Sequence, residues 1–156
     1  MTDPAKAVRI GTMIKASDGK AAQSIAAIAD LGFESFEPFF WQTTNGQDLK
    51  ELGKRPQVYI KLSEVVHKSG DKVSTDLSMY KEWLDELWSI FGEDRVMFGS
   101  DWPQSEGLEY NSYPHVFGVA RAYVASKGPS ALEKVFWKNS SKPYRWVQRD
   151  PSQRKA

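Results

Sequence analysis

Residues 80–103 most restrict what this chain can become, because a helix-period apolar stripe there runs into a short apolar strand that stops at an acid. Tyr80, Trp83, Leu84, Leu87, Trp88 and Phe91 fall at i, i+3, i+4, i+7, i+8 and i+11, one face of a helix. Thr75 or Asp76 stands as its cap and Gly92 as its stop. Fully burying each large apolar side chain of such a stripe contributes about 1.5–3 kcal/mol, so the helix needs a sheet to cover. Val96, Met97 and Phe98 supply an apolar run beside it, and Gly99 admits close approach of a backbone or ligand. Asp101 sits at the carboxyl end, ahead of Pro103, which forbids continuation. An acid in that place faces a mouth.

The same order of strand and helix repeats along the chain. Residues 8–14 alternate weakly and end in a polar loop at 16–19, which predicts a first strand. Ala22, Ile25, Ala26, Ile28 and Ala29 recur at helical spacing up to Gly32, a C-terminal left-handed position. Residues 33–41 are aromatic-rich and predict a second strand, with Pro38 arguing against full pairing on both edges. Turn residues at 43–46 and a short helix at 47–52 lead to the basic, Gly/Pro-containing segment 53–56, the best boundary candidate. It divides 1–54 from 55–156 within what is expected to be one compact domain. Residues 58–63 predict a third strand, followed by a polar loop over 67–76. Residues 95–100 predict a fourth strand, then a loop over 104–112. Helices follow at 113–126, with Pro114 in the first turn, and at 130–137.

Strand, helix, strand, helix is the pattern of an α/β domain whose parallel strands are joined by crossover helices. About four such units make half of a (β/α)8 barrel, and a closed barrel takes about 250 residues against 156 here. The expected fold is a partial TIM barrel: a half-barrel, or an open parallel sheet. Exposed edges of such a sheet favour self-association, so a homo-oligomer completing the half-barrel is an expected partner.

Charge excludes some functions. Lys and Arg number 21 against 20 Asp and Glu, and a net charge of +1 creates no field that would gather nucleic acid or an anionic membrane. A small molecule is the expected partner. The absence of cysteine excludes thiolate metal sites, disulfide scaffolds and cysteine nucleophiles. Charged residues interrupt the first twenty positions and no later run approaches membrane-spanning length, so a cytoplasmic protein is expected.

Two resemblances add to this reading. Val58-Tyr59-Ile60-Lys61-Leu62-Ser63, the run Phe91-Gly92-Glu93-Asp94-Arg95-Val96-Met97-Phe98-Gly99-Ser100-Asp101-Trp102-Pro103, and Lys134-Val135-Phe136-Trp137-Lys138-Asn139 resemble, over residues 57–149, the C-terminal part of amidohydrolase-related metal-dependent hydrolases. Arg9-Ile10-Gly11-Thr12-Met13-Ile14-Lys15 and Leu31-Gly32-Phe33-Glu34-Ser35-Phe36-Glu37 resemble, over residues 8–52, the opening strands of sugar-phosphate isomerase/epimerase barrels of the xylose-isomerase type. The first resemblance implies a hydrolase of lactone or amide bonds in which Asp101 is a metal ligand or proton-transfer base and the divalent ion is zinc or manganese. Trp102 and Lys61 then become candidate substrate contacts, and His67 a candidate second ligand. The second implies an isomerase or epimerase. A third alternative is a non-catalytic fusion remnant that serves as an interaction module.

Each candidate also has a structural reading. Asp101 alone is equally a loop carboxylate capping a turn before Pro103. His67 follows the third strand as a lone loop histidine, a residue more often solvated than ligating, and His115 stands in a first helical turn with no metal-motif spacing to it. The hydrolase family expects a His-x-His pair on its first strand and further histidines on middle strands, and this chain has neither. Glu34 and Glu37 alternate to opposite faces, which removes a paired acid/base site. Lys134, Lys138, Lys142, Arg145 and Arg149 read as a solvated basic end.

Overall fold

The computed structural model describes residues 11–15, 21–31, 35–39, 46–63, 65–66, 68–69, 72–102, 112–146, 148 and 150–152. The chain falls into two compact units, Met1–Leu49 and Lys50–Ala156.

In the first unit, β1 (Gly11–Lys15) and β2 (Ser35–Phe39) flank α1 (Ala21–Asp30) and pair in parallel, with Gly11 opposite Ser35 and Lys15 opposite Phe39. Pro38 lies inside β2 opposite Ile14. The sheet has only these two strands among the described residues, so each has a free edge, where a missing N–H costs no ladder bond. Of the apolar positions of α1, Ala26 and Ala29 are exposed and Ile28 half-buried.

The division falls within α2 (Gly46–Gly53). The second unit then runs through β3 (Ile60–Leu62), β4 (Lys68–Ser69), β5 (Lys72–Val73), α3 (Ser78–Phe91), β6 (Val96–Phe98), α4 (Tyr113–Ser126), α5 (Pro129–Phe136) and a 3-10 turn at Lys138–Ser141. β3 and β6 pair in parallel, Lys61 opposite Met97 and Leu62 opposite Phe98, with α3 as the connecting helix. β4 and β5 form a small antiparallel hairpin inside the stretch expected to be plain loop. Each unit thus carries one parallel pair, and every described sheet has two strands rather than one sheet having four.

The helix stripe is borne out. Tyr80, Leu84, Leu87 and Phe91 are buried on α3, while Trp83 and Trp88 are half-buried at its margin. Asp76 caps its start, accepting from the Ser78 N–H at 2.9 Å; the Ser78 main-chain N–H and then its hydroxyl hold the Asp76 carboxyl below its ordinary value. Gly92 ends it at φ 68°, a left-handed conformation, with its N–H on Trp88 O. Leu62, Val65, Val66, Val96, Val116, Tyr123 and Val124 complete the core around this helix and β3–β6.

Residues 53–56, the boundary candidate, lie in the second unit and are tied there by Arg95. Its guanidinium donates to Gly53 O and Arg55 O, each at 2.9 Å, and to Ile90 O and Phe91 O at 3.2 Å. The Arg95 side chain therefore bridges the end of α2, the end of α3 and the start of β6.

Candidate active site at the carboxyl ends of β3 and β6

Strand alternation sorts the residues of this pair onto two faces. Val96 and Phe98 share one, and Phe98 packs there against Phe117 of α4 and Phe136 of α5 at ring separations of 5.7 and 5.0 Å. Lys61 and Met97 share the other. The ladder continues past β6, since Gly99 donates to Leu62 O at 3.2 Å, so Gly99 rejoins the Lys61 face.

The glycine permits a close approach at this point. A Cβ at position 99 would stand 2.5 Å from Ser63 Oγ, closer than side chains pack, and 3.4 Å from Lys61 Cδ, in ordinary contact. The missing side chain lets Ser63, Lys61 and the turn after β6 crowd together at the carboxyl ends of two parallel strands, the end where α/β folds place their ligands. Asp101 occupies that turn at φ 56°, a left-handed conformation that aspartate tolerates better than most residues, and is exposed. Trp102 donates its main-chain N–H to Ser100 Oγ at 3.2 Å and leaves its indole 55% exposed beside the turn.

Of the residues singled out in sequence, Asp101, Trp102 and Lys61 gather at this end of the strands. His67 lies outside the described residues. His115 is half-buried on the first turn of α4 with its Nε2 buried and unpartnered, and it is not among the residues of this strand end. Glu34 is outside the described residues too, and Glu37 lies on β2 in the first unit. The basic C-terminal residues include engaged ones: Lys134 pairs with Glu93 at 2.5 Å and Asp94 at 2.7 Å, and Lys138 with Glu133 at 3.0 Å.

Two contributors were not legible in sequence. Ser63 enters through the register of β3 against β6. Tyr144, past the 3-10 turn, brings its ring to 5.5 Å from Lys61 Nζ, a cation–π separation. No local motif announces either.

The family model for amidohydrolases matches residues 47–146, and the chain belongs to the amidohydrolase family. An L-fucono-1,5-lactonase from Burkholderia multivorans is 33% identical over 92 residues, 57% of this chain and 30% of that enzyme. The crystal structure of an amidohydrolase from Burkholderia multivorans is similar at a TM-score of 0.56 and 28% identity, over 65% of this chain and 36% of that one. A second crystal form of that amidohydrolase has zinc bound. A Pseudomonas putida protein described as a 2-pyrone-4,6-dicarboxylic acid hydrolase shares the fold at a TM-score of 0.57 and 16% identity, over 88% of this chain and 51% of that one. The chain spans about a third of the length of the lactonase and of the Burkholderia amidohydrolase.

Zinc and manganese can be tested against the donors in place. Among the described residues no three His, Asp or Glu cluster in a way that could hold a metal ion, and a catalytic zinc takes about three protein ligands. The described donor set does not fit such an ion. No helix among the described residues is long and apolar enough to cross a membrane.

Proposed function

We propose that this chain contributes the closing strands of a hydrolase that opens lactone rings or related carboxylic esters, with Asp101 managing the proton of the attacking water. The supporting observation is the position of Asp101 in the left-handed turn after β6, next to the Lys61–Ser63–Gly99 face, in a chain whose family includes a lactonase. Water attacks the carbonyl carbon while the Asp101 carboxylate takes its proton. A carbon–oxygen bond forms, the ring carbon–oxygen bond breaks, and the proton passes to the departing alkoxide to give a hydroxy acid. Lys61 supplies positive charge toward the carbonyl oxygen as it becomes anionic, and Trp102 offers an apolar wall.

A divalent ion would need donors beyond Asp101, which are proposed to come from His67 and from a second chain that completes the half-barrel, and the proton transfer above does not require it. The test couples metal analysis with native mass and a lactone hydrolysis assay. Asp101→Asn is expected to lower kcat by roughly 10²–10⁴-fold, the contribution of a positioned base. A metal-free protein that hydrolyses no lactone sinks the enzymatic reading.

A second reading, a self-associating module without catalysis, is favoured by the aromatic side chains that the second unit exposes, Tyr113, Trp137, Tyr144 and Trp146 among them.

A further inference from the structure

Ser63 directly follows β3 and, two positions after Lys61, stands on the same face of the strand. Its level against β6 is that of Gly99, because Leu62 is opposite Phe98 and the Gly99 N–H reaches Leu62 O. The Ser63 hydroxyl lies over Gly99, 2.5 Å from the point where a Cβ would stand. Asp101 comes two residues after Gly99, a chain distance of at most about 7 Å. Ser63 is half-buried, and among the described residues its hydroxyl makes no hydrogen bond. Hydroxyls in such places ordinarily have a partner, so this one is an unspent donor at the end of the strands where α/β folds bind their ligands. A nucleophilic serine has a base in hydrogen-bond reach. None is bonded to Ser63 among the described residues, so its proton is there to be donated rather than removed.

We propose that Ser63 is a second catalytic residue of this site, its hydroxyl donating to the carbonyl oxygen of the bound lactone or ester; the inference rests on the reading of Asp101 as the base. Along the sheet the Ser63 hydroxyl comes after the level of Lys61 and before the turn that carries Asp101. A carbonyl placed over Gly99 therefore has a donor at its oxygen, and the water activated by Asp101 at its carbon. As water adds, the carbonyl π pair moves onto that oxygen, and the Ser63 O–H holds the developing oxyanion without giving up its proton. The pair returns to re-form the carbonyl as the ring carbon–oxygen bond breaks, so Ser63 ends the cycle unchanged. Gly99 keeps the hydroxyl in place, since a Cβ there would displace it.

The test compares hydrolysis of δ-valerolactone with that of its thionolactone, in which sulfur replaces the carbonyl oxygen and accepts hydrogen bonds weakly. Both are assayed on the full chain, wild type and Ser63→Ala. Ser63→Ala is expected to lower kcat for the oxygen substrate by roughly 10²-fold with KM unchanged, as loss of one oxyanion donor does. The thionolactone rate should stay close to wild type, so the ratio of the two rates falls by a similar factor, while the far-UV circular dichroism spectrum and melting temperature do not move. Equal slowing of both substrates would assign Ser63 to structure and overturn the proposal. An acyl group found on Ser63 by mass spectrometry overturns it too, by making the residue a nucleophile. A Ser63→Ala variant as fast as wild type, beside an Asp101→Asn variant that has lost the rate, removes the role of Ser63 and leaves that of Asp101. A wild-type chain that turns over neither substrate removes both.

Discussion

Asn139 gives both protons of its side-chain amide to main-chain carbonyls around β6, one to Val96 O and the other to Glu93 O, each at 2.7 Å. Asn139 is 7% exposed, and the Val96 carbonyl lies on the strand whose end carries Asp101. Asn139→Ala strands both acceptors, at least one of them away from water, and is expected to cost about 2 kcal/mol. Asn139→Asp should cost more, because it turns a donor into an oxygen facing two carbonyl oxygens. Urea unfolding checks both, and an alanine variant within error of wild type would show that water replaces the amide.

Gly99 tests the crowding at the candidate site. Gly99→Ala brings a methyl group against Ser63 Oγ and is expected to destabilise by about 1–2 kcal/mol, as overpacking does. The substitution Ser63→Ala removes the oxygen it meets, so the double variant should recover part of the loss. A thermodynamic cycle with no coupling between positions 63 and 99 contradicts the geometry.

The clasp between α3 and α4 gives the stability a pH dependence. Asp85 accepts from Lys127 Nζ at 2.6 Å, from Lys81 Nζ and from Tyr123 OH at 3.0 Å, and these donors, Lys127 first, hold its carboxyl far below the ordinary value of 3.8. Its contribution is therefore present above 3.8 and lost as pH falls below that value. Burial, then the hydrogen bond to Asp85, pushes the Tyr123 phenol well above its ordinary 10.0, so its contribution is present below 10.0 and lost as pH rises past it. Melting temperature across pH should show Asp85→Asn flatter than wild type on the acid side and Tyr123→Phe flatter on the alkaline side. Parallel profiles for all three proteins would place the pH dependence elsewhere.

How much of this was legible in sequence follows from the range of each interaction. The α3 stripe, its Asp76 cap and its Gly92 stop depend on neighbours within a few turns, and sequence spacing carries them. The β4–β5 hairpin escaped because strands of two residues are too short to show alternation. Asp101 was visible as an acid at a strand end, and Lys61 and Trp102 as its candidate companions through the family resemblance, but Ser63 was not, since it reaches Gly99 only through a register that no local pattern encodes. Asn139 belonged to a run whose family resemblance was plain, while its partners stand 43 and 46 residues earlier in the chain. Long-range hydrogen bonds leave no periodicity to read.

Arg95 illustrates the same limit and supports the sharpest prediction about the fold. In sequence it opens the strand that leads to Asp101, and nothing marks it as a tie for residues 53–56. In the structure its planar fork meets four carbonyls from two helix ends and the following loop, with the guanidinium carbon 5.4 Å from the Phe91 ring centre. Lysine carries the same charge at a single nitrogen and cannot span carbonyls set in several directions. Arg95→Lys is therefore expected to lower stability by about 2 kcal/mol, within the range for hydrogen bonds from a charged donor, and the carbonyls left without it are part-buried at Gly53, Ile90 and Phe91. Amide exchange should rise locally at residues 53–56 before global unfolding. Unchanged exchange there, with a lower unfolding midpoint, would assign the arginine to packing against Phe91 rather than to holding the segment.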